Sequence, residues 1–166
     1  MKKLACTLLL LSSALVQAGF DERVAATNKG DYQTTFKEMK PLAEQGDAVA
    51  QYNLGIMYDK GKGVAQNYTQ AVAWYKKAAA QGFASAQYNL ALMYAKGQGV
   101  PQNYKIAYIL FNLAASNGDA DATQNRDIAA AKLSPATIED AQRITMQLHN
   151  SKNFAADLRK LLNSQK

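Results

Sequence analysis

Apolar positions along this chain recur at steps of three and four. Over residues 48–60 they are Ala50, Leu54, Met57 and Tyr58, and over 68–81 they are Ala71, Trp74, Tyr75 and Ala78. That spacing puts each set on one face of a helix. Two further sets lie near the end: Ile138, Ala141, Ile144, Met146 and Leu148, then Phe154, Leu158, Leu161 and Leu162. Matching start and stop signals flank these runs. Asp47 can cap a helix from about Ala48 to Lys60. Gly61 suits a left-handed C-terminal cap, with Lys60 at the negative end of the helix dipole, and Gly63 is a second permissive turn position. Asn67 can cap the next helix, Gln70 three residues on completes a capping box, and Gly82 marks its stop near Gln81. Ser134 and Pro135 fit the N-cap and first position of a helix running to about His149. Asn150 and Ser151 break it before a last short helix. Thirty alanines against three prolines favour helix over sheet. The predicted fold class is all-α.

The pattern also returns on itself. Gln51-Tyr52-Asn53-Leu54 reappears as Gln87-Tyr88-Asn89-Leu90, Gly61-Lys62-Gly63-Val64 as Gly97-Gln98-Gly99-Val100, and Gln66-Asn67-Tyr68 as Gln102-Asn103-Tyr104. Every offset is 36 residues, and residues 46–81 laid on 82–117 give 19 identities in 36 positions. Such a period predicts a stacked array of helix pairs. Residues 31–45 match the second half of a unit, with Tyr32 in register with Tyr68 and Tyr104. Residues 118–132 match the first half of another through Gly118, Ala122 and Asn125. End units are expected to decay, because they present a polar outer face. Small alanines opposite aromatics let neighbouring helices approach. Residues 133–166 are expected to cap the last unit. The competing reading is an amphipathic docking helix that uses Arg159 and Lys160.

Composition alters this picture mainly at the front. Lys2 and Lys3 precede an apolar run from Leu4 to Val16, and Val16-Gln17-Ala18 ends on a small residue. This reads as a secretory leader cut after Ala18, since a run of 13 residues falls short of the ~20 that span a bilayer. Removing it takes away Cys6, the only cysteine, and lowers the formal charge from +6 to +4. The remaining charges are dispersed, with no basic tract, so nucleic-acid binding has no electrostatic footprint. The chain is expected to be exported, to the periplasm, with no stable membrane insertion after cleavage.

Chemistry is sparse. His149 is the only histidine, and its place near a helix end suits a surface or dipole role. The pairs Asp119/Asp121 and Glu139/Asp140 lie at helix starts, where carboxylates favour the dipole. There is no phosphate loop around Gly61 and Gly63. No catalytic residue, metal or cofactor is expected.

Taken together, Ala48-x-Ala50-Gln51-Tyr52-Asn53-Leu54-Gly55-x-Met57-Tyr58, Gly61-x-Gly63-Val64 and Ala71-x-x-Trp74-Tyr75-x-Lys77-Ala78-Ala79-x-Gln81-Gly82 resemble Sel1-like repeats, relatives of the tetratricopeptide repeat. The second copy departs at Ala91, Leu110, Phe111 and Leu113 with mild swaps. The resemblance implies a right-handed α-solenoid used for protein–protein contact, and no activity. The implied division is a leader at 1–18, repeats over 19–132 and capping helices over 133–166. In tetratricopeptide relatives the first helix of each unit lines a concave groove. By that resemblance Tyr52, Asn53, Asp59, Lys60, Tyr88, Asn89, Lys96 and Asn125 would contact a protein or peptide partner. Ladders of Asn53, Asn89 and Asn125, and of Lys60, Lys96 and Lys132, step by 36 residues. Asn can bond an extended backbone and Lys can meet a carboxylate. Three alternatives stand beside this. The Asn and Tyr side chains bridge adjacent repeats, and Lys only complements helix ends. The groove serves an envelope enzyme or a cell-wall or β-lactam binder, although the chain past residue 18 lacks Cys and the Ser-x-x-Lys, Ser-Asp-Asn and Lys-Thr-Gly strings. Or the protein stabilises a larger complex through its convex face, at Lys76 and Lys77.

Overall fold

A computed structural model of the chain describes residues 31–164. The leader expected at 1–18, and Phe20, Val24 and Ala25 as possible packing residues of a first helix, lie outside the described residues. Within them are eight α-helices and no strand: α1 Tyr32–Glu44, α2 Ala48–Lys60, α3 Tyr68–Ala79, α4 Ala84–Lys96, α5 Tyr104–Ser116, α6 Ala122–Ala130, α7 Pro135–His149 and α8 Phe154–Asn163. Helices α1 to α6 pack each on the next, so the chain is an α-solenoid of stacked pairs. Helix α7 packs on α5, and α8 packs on α7.

The helix starts follow side-chain chemistry. Asp31, Asp47, Asn67, Asn103 and Ser134 each accept a bond from the amide three residues on. Helix α4 is the exception, because Phe83 stands where Asp47 stood and offers no cap. Its ring packs against Tyr52 instead, with centroids 5.1 Å apart. The reciprocal half of the capping box expected from Gln70 does not form. The Asn67 amide donates to the Tyr58 carbonyl at 2.9 Å, and the Asn103 amide does the same to Tyr94. These bonds tie the second helix of each unit to the end of its first.

Helix α3 ends at Ala79, two residues short of the expected Gln81. The amides of Gln81 and Gly82 turn back to Ala78 and Ala79 in short turns. That frees the Gln81 side chain, whose Nε2 reaches the Gly46 carbonyl at 2.9 Å and Gln51 Oε1 at 2.8 Å.

Two apolar clusters make the core. One joins Ala43, Ala50, Leu54, Met57 and Trp74 across α1, α2 and α3. The larger runs from α3 to α8 around Tyr75, Leu90, Ile106, Phe111 and Leu158. Alanines such as Ala71, Ala78, Ala86 and Ala91 have no accessible surface, so they act as the close contacts between helices. Of the apolar residues expected on the α7 face, Met146 is a correction: it is 61% exposed. Ala141 and Leu148, seven residues apart, define the buried stripe, and Met146 lies off it.

Two polar ties and one backbone contact repeat with the period. Buried Gln51 donates to the Ala43 carbonyl at 3.0 Å, and buried Gln87 donates to Ala79 at 3.2 Å. The oxygen of Gln87 accepts from Asn117, as that of Gln51 accepts from Gln81. Gly63 has φ +73°, and a Cβ there would lie 2.3 Å from the Tyr32 carbonyl oxygen. Gly99 stands in the same way against Tyr68. Each loop thus rests on the first turn of the second helix in the preceding unit.

Candidate functional site

The first helices of successive units, α2 and α4, share a face because their residues are in register at 36. Between them opens a cavity of about 190 Å3, lined by Ile56, Asp59, Lys60, Tyr75, Asn89, Leu92, Met93, Lys96 and Gln98. Four of the eight residues expected to contact a partner therefore meet in one place: Asp59, Lys60, Asn89 and Lys96. The floor is aliphatic and the rim is polar.

Of the other four, Tyr52 and Asn53 lie on α2, Tyr88 on α4 and Asn125 on α6, and all are engaged within the fold. The Tyr52 ring is half-buried between Tyr75 and Phe83, with centroids 6.1 and 5.1 Å away. Burial pushes its hydroxyl pKa up, against the opposing influence of Asn89 and Ser85. The Asn53 amide donates to the Val49 carbonyl of its own helix at 3.0 Å. Tyr88 packs on Phe111 at 5.6 Å and accepts from Asn125 at 3.0 Å, and Asn125 also donates to the Asp121 carbonyl. Asn125 thus bridges adjacent units, as one of the alternatives anticipates. Burial first, then Asp121 and Asp119, raise Tyr88.

Inside the cavity the charges are unequal. Lys60 Nζ lies 2.9 Å from Asp59 Oδ2, and that bond raises the lysine pKa. Lys96 has Ala95 where Lys60 has Asp59, and no carboxylate lies within ion-pair reach of it among the described residues. Asn89 Nδ2 sits 3.4 Å from the Tyr75 hydroxyl. Tyr75 is fully buried, and burial with the Asp59 carboxylate pushes its pKa strongly up, so it stays a neutral phenol. Tyr75, expected on the apolar face of its helix, also lines this cavity, which the sequence did not announce. The same holds for Met93 and Gln98. Gln98 was findable as the variable residue of Gly97-x-Gly99, where the first unit has Lys62.

Of the two residues named for a convex-face role, Lys76 is half-buried. Its Nζ is 3.4 Å from the Leu162 carbonyl and 5.8 Å from the Tyr94 ring centroid, and burial lowers its pKa. Lys77 lies 3.9 Å over the Trp74 ring. Among the described residues no three His, Cys, Asp or Glu side chains gather as metal ligands, and no helix is long and apolar enough to cross a membrane.

Comparison with known proteins agrees with this architecture. Residues 48–83 and 84–119 each match the Sel1 repeat family. A protective antigen present in uropathogenic Escherichia coli strains, displaying an SLR fold, superposes with a TM-score of 0.75 at 27% identity, over 90% of this chain and 32% of its own. A Sel1 repeat protein from Oxalobacter formigenes aligns with a TM-score of 0.56 at 38% identity, over 58% of this chain and 40% of its own. The chain thus spans well under half the length of either. Cysteine rich protein B of Helicobacter pylori shares the fold, with a TM-score of 0.55 at 22% identity, over 65% of this chain and 92% of its own. No curated protein matches the sequence.

Proposed function

We propose that this protein, a Sel1-repeat solenoid, is an exported interaction module that binds an extended segment of a partner protein across the face of α2 and α4. The observation that carries the reading is the cavity itself. Its aliphatic floor of Ile56, Leu92 and Met93 can take an apolar side chain, and its rim offers the Asn89 amide and charged groups to a peptide. Its volume lies below the roughly 300–1,000 Å3 of small-molecule sites, which favours a side chain over a free ligand. A non-catalytic role fits the same geometry. The only hydroxyl on the cavity wall is the Tyr75 phenol, and no nucleophile–base pair stands beside it. Export to the periplasm rests on the leader pattern at 1–18 and on the likeness to a protective antigen.

Photocrosslinking in intact cells tests this reading. A photoreactive residue at Leu92 should capture a partner from the envelope, and one at Lys77 should not. The double variant Lys60→Glu, Lys96→Glu should lose that adduct. An unchanged adduct pattern in the double variant would sink the groove reading, and capture only from Lys77 would favour a convex-face role. In fractionated cells the protein should appear in the periplasm, shortened by the mass of residues 1–18.

A further inference from the structure

The two copies of the repeat differ at one point that matters electrically. In the first, Asp59 precedes Lys60 and pairs with it at 2.9 Å. In the second, Ala95 precedes Lys96, which is exposed and has no hydrogen-bond or ion-pair partner among the described residues. Both lysines border the same cavity, together with the paired and mostly covered Asp59. The cavity therefore holds one neutralised ion pair and one uncompensated positive charge. The asparagines differ in the same direction. Asn53 and Asn125 are tied to main-chain carbonyls, at Val49 and Asp121. Asn89 donates to the Tyr75 hydroxyl at 3.4 Å and to no main-chain carbonyl among the described residues, and its amide carries both a donor and an acceptor for a peptide backbone. A lone cation, an open amide and an aliphatic floor of Ile56 and Leu92 share one rim.

From this juxtaposition we infer that the α2–α4 cavity selects an acidic residue of the bound segment. Its carboxylate sits on Lys96, its backbone on Asn89, and a neighbouring aliphatic side chain fills the floor. The inference rests on the peptide-binding reading above and adds the partner's chemistry: a segment in which Asp or Glu stands beside a branched aliphatic residue. The unpaired lysine makes the complementarity directional, because an isolated basic residue at the same place would be repelled.

Random dodecapeptide display against the purified protein tests this. Selected peptides should be enriched in Asp or Glu next to Leu, Ile or Val. Replacing the acid of the leading peptide by its amide should weaken binding about three- to fivefold at low salt, as for an exposed ion pair, and less as salt rises. The repeat supplies its own control. Ala95→Asp restores in the second unit the pairing that Lys60 has in the first, and Lys96→Met removes the charge outright. Lys96 is exposed and Ala95 partly buried, and helical circular dichroism verifies the fold of each variant. Each variant should still select peptides but without the acidic preference, and the acid and amide peptides should then bind within about twofold of each other. Peptides selected without acidic bias, or an acidic bias that survives both variants, overturn this inference alone. No peptide selected by the wild-type protein overturns the peptide-binding reading with it.

Discussion

Gln87 is the residue on which the joint between units turns. It is fully buried, and both ends of its amide are used, on the Ala79 carbonyl and by the Asn117 side chain. Replacing it with Leu keeps the bulk but leaves a carbonyl and an amide without partners. Gln87→Leu should cost about 1–3 kcal/mol in chemical denaturation, since buried polar groups left unsatisfied carry their desolvation penalty. Gly63 should be as intolerant for a different reason. Its positive φ strains any other residue, and a Cβ would meet main-chain atoms of Tyr32 that cannot move aside. Gly63→Ala should cost about 2 kcal/mol or more, whereas Lys62→Ala beside it should stay within about 0.5 kcal/mol. At this scale the sequence was half legible. The 36-residue step puts Asn53, Asn89 and Asn125 on one face, but not in one environment. Their settings differ because Val49, Tyr75 and the Tyr88–Asp121 pair differ, and those contacts depend on packing that periodicity does not encode. The inequality of Lys60 and Lys96, by contrast, is written in the change from Asp59 to Ala95.

Helices were the most legible level. The starts of α2, α3 and α7 and the end of α2 lie where Asp47, Asn67, Ser134 and Gly61 place them. Those signals are local, so neighbours along the chain suffice to read them. The Gln70 capping box failed because the Asn67 amide had a better claimant, the Tyr58 carbonyl, nine residues back. Helix α7 shows a docking contact that no local pattern announces. Asp140 binds Lys105 of α5 and Arg143 of its own helix, and Gln142 donates to Tyr108 at 3.2 Å. Bonds from Lys105 and then Arg143 hold the Asp140 carboxyl below its ordinary value of 3.8. A folded-state pKa depressed in this way gives stability that is present above the unfolded value and lost as pH falls through the folded one. Asp140→Asn should therefore lower the thermal midpoint at pH 6, and the gap to the wild-type protein should close as pH is taken below about 3.8. A gap of equal size at pH 6 and pH 2.5 would assign the effect to something other than this carboxylate.

The whole molecule is a linear array, and its stability should be distributed as one. The small cluster joins α1, α2 and α3, whereas the large one runs from α3 to the last helix. Along α1 to α6 each helix packs on the next, and Lys76 ties α3 onward to α8, so opening from the α1 end should cost less than opening the middle. Native-state hydrogen exchange should find the slowest amides in α4 and α5 and the fastest in α1. One common opening energy for all eight helices would contradict this. The joints between units have a further consequence. Gly63 and Gly99 rest on the main chain of Tyr32 and Tyr68, with no side chain between. At these two points the units meet backbone against backbone, a contact indifferent to what the exposed face carries. A further copy of residues 82–117, inserted after Asn117, would seat its own Gly-x-Gly loop on Tyr104 as Gly99 sits on Tyr68. A lineage can lengthen such a protein by whole cassettes, or redraft the face of any one of them, and inherit the joint unchanged.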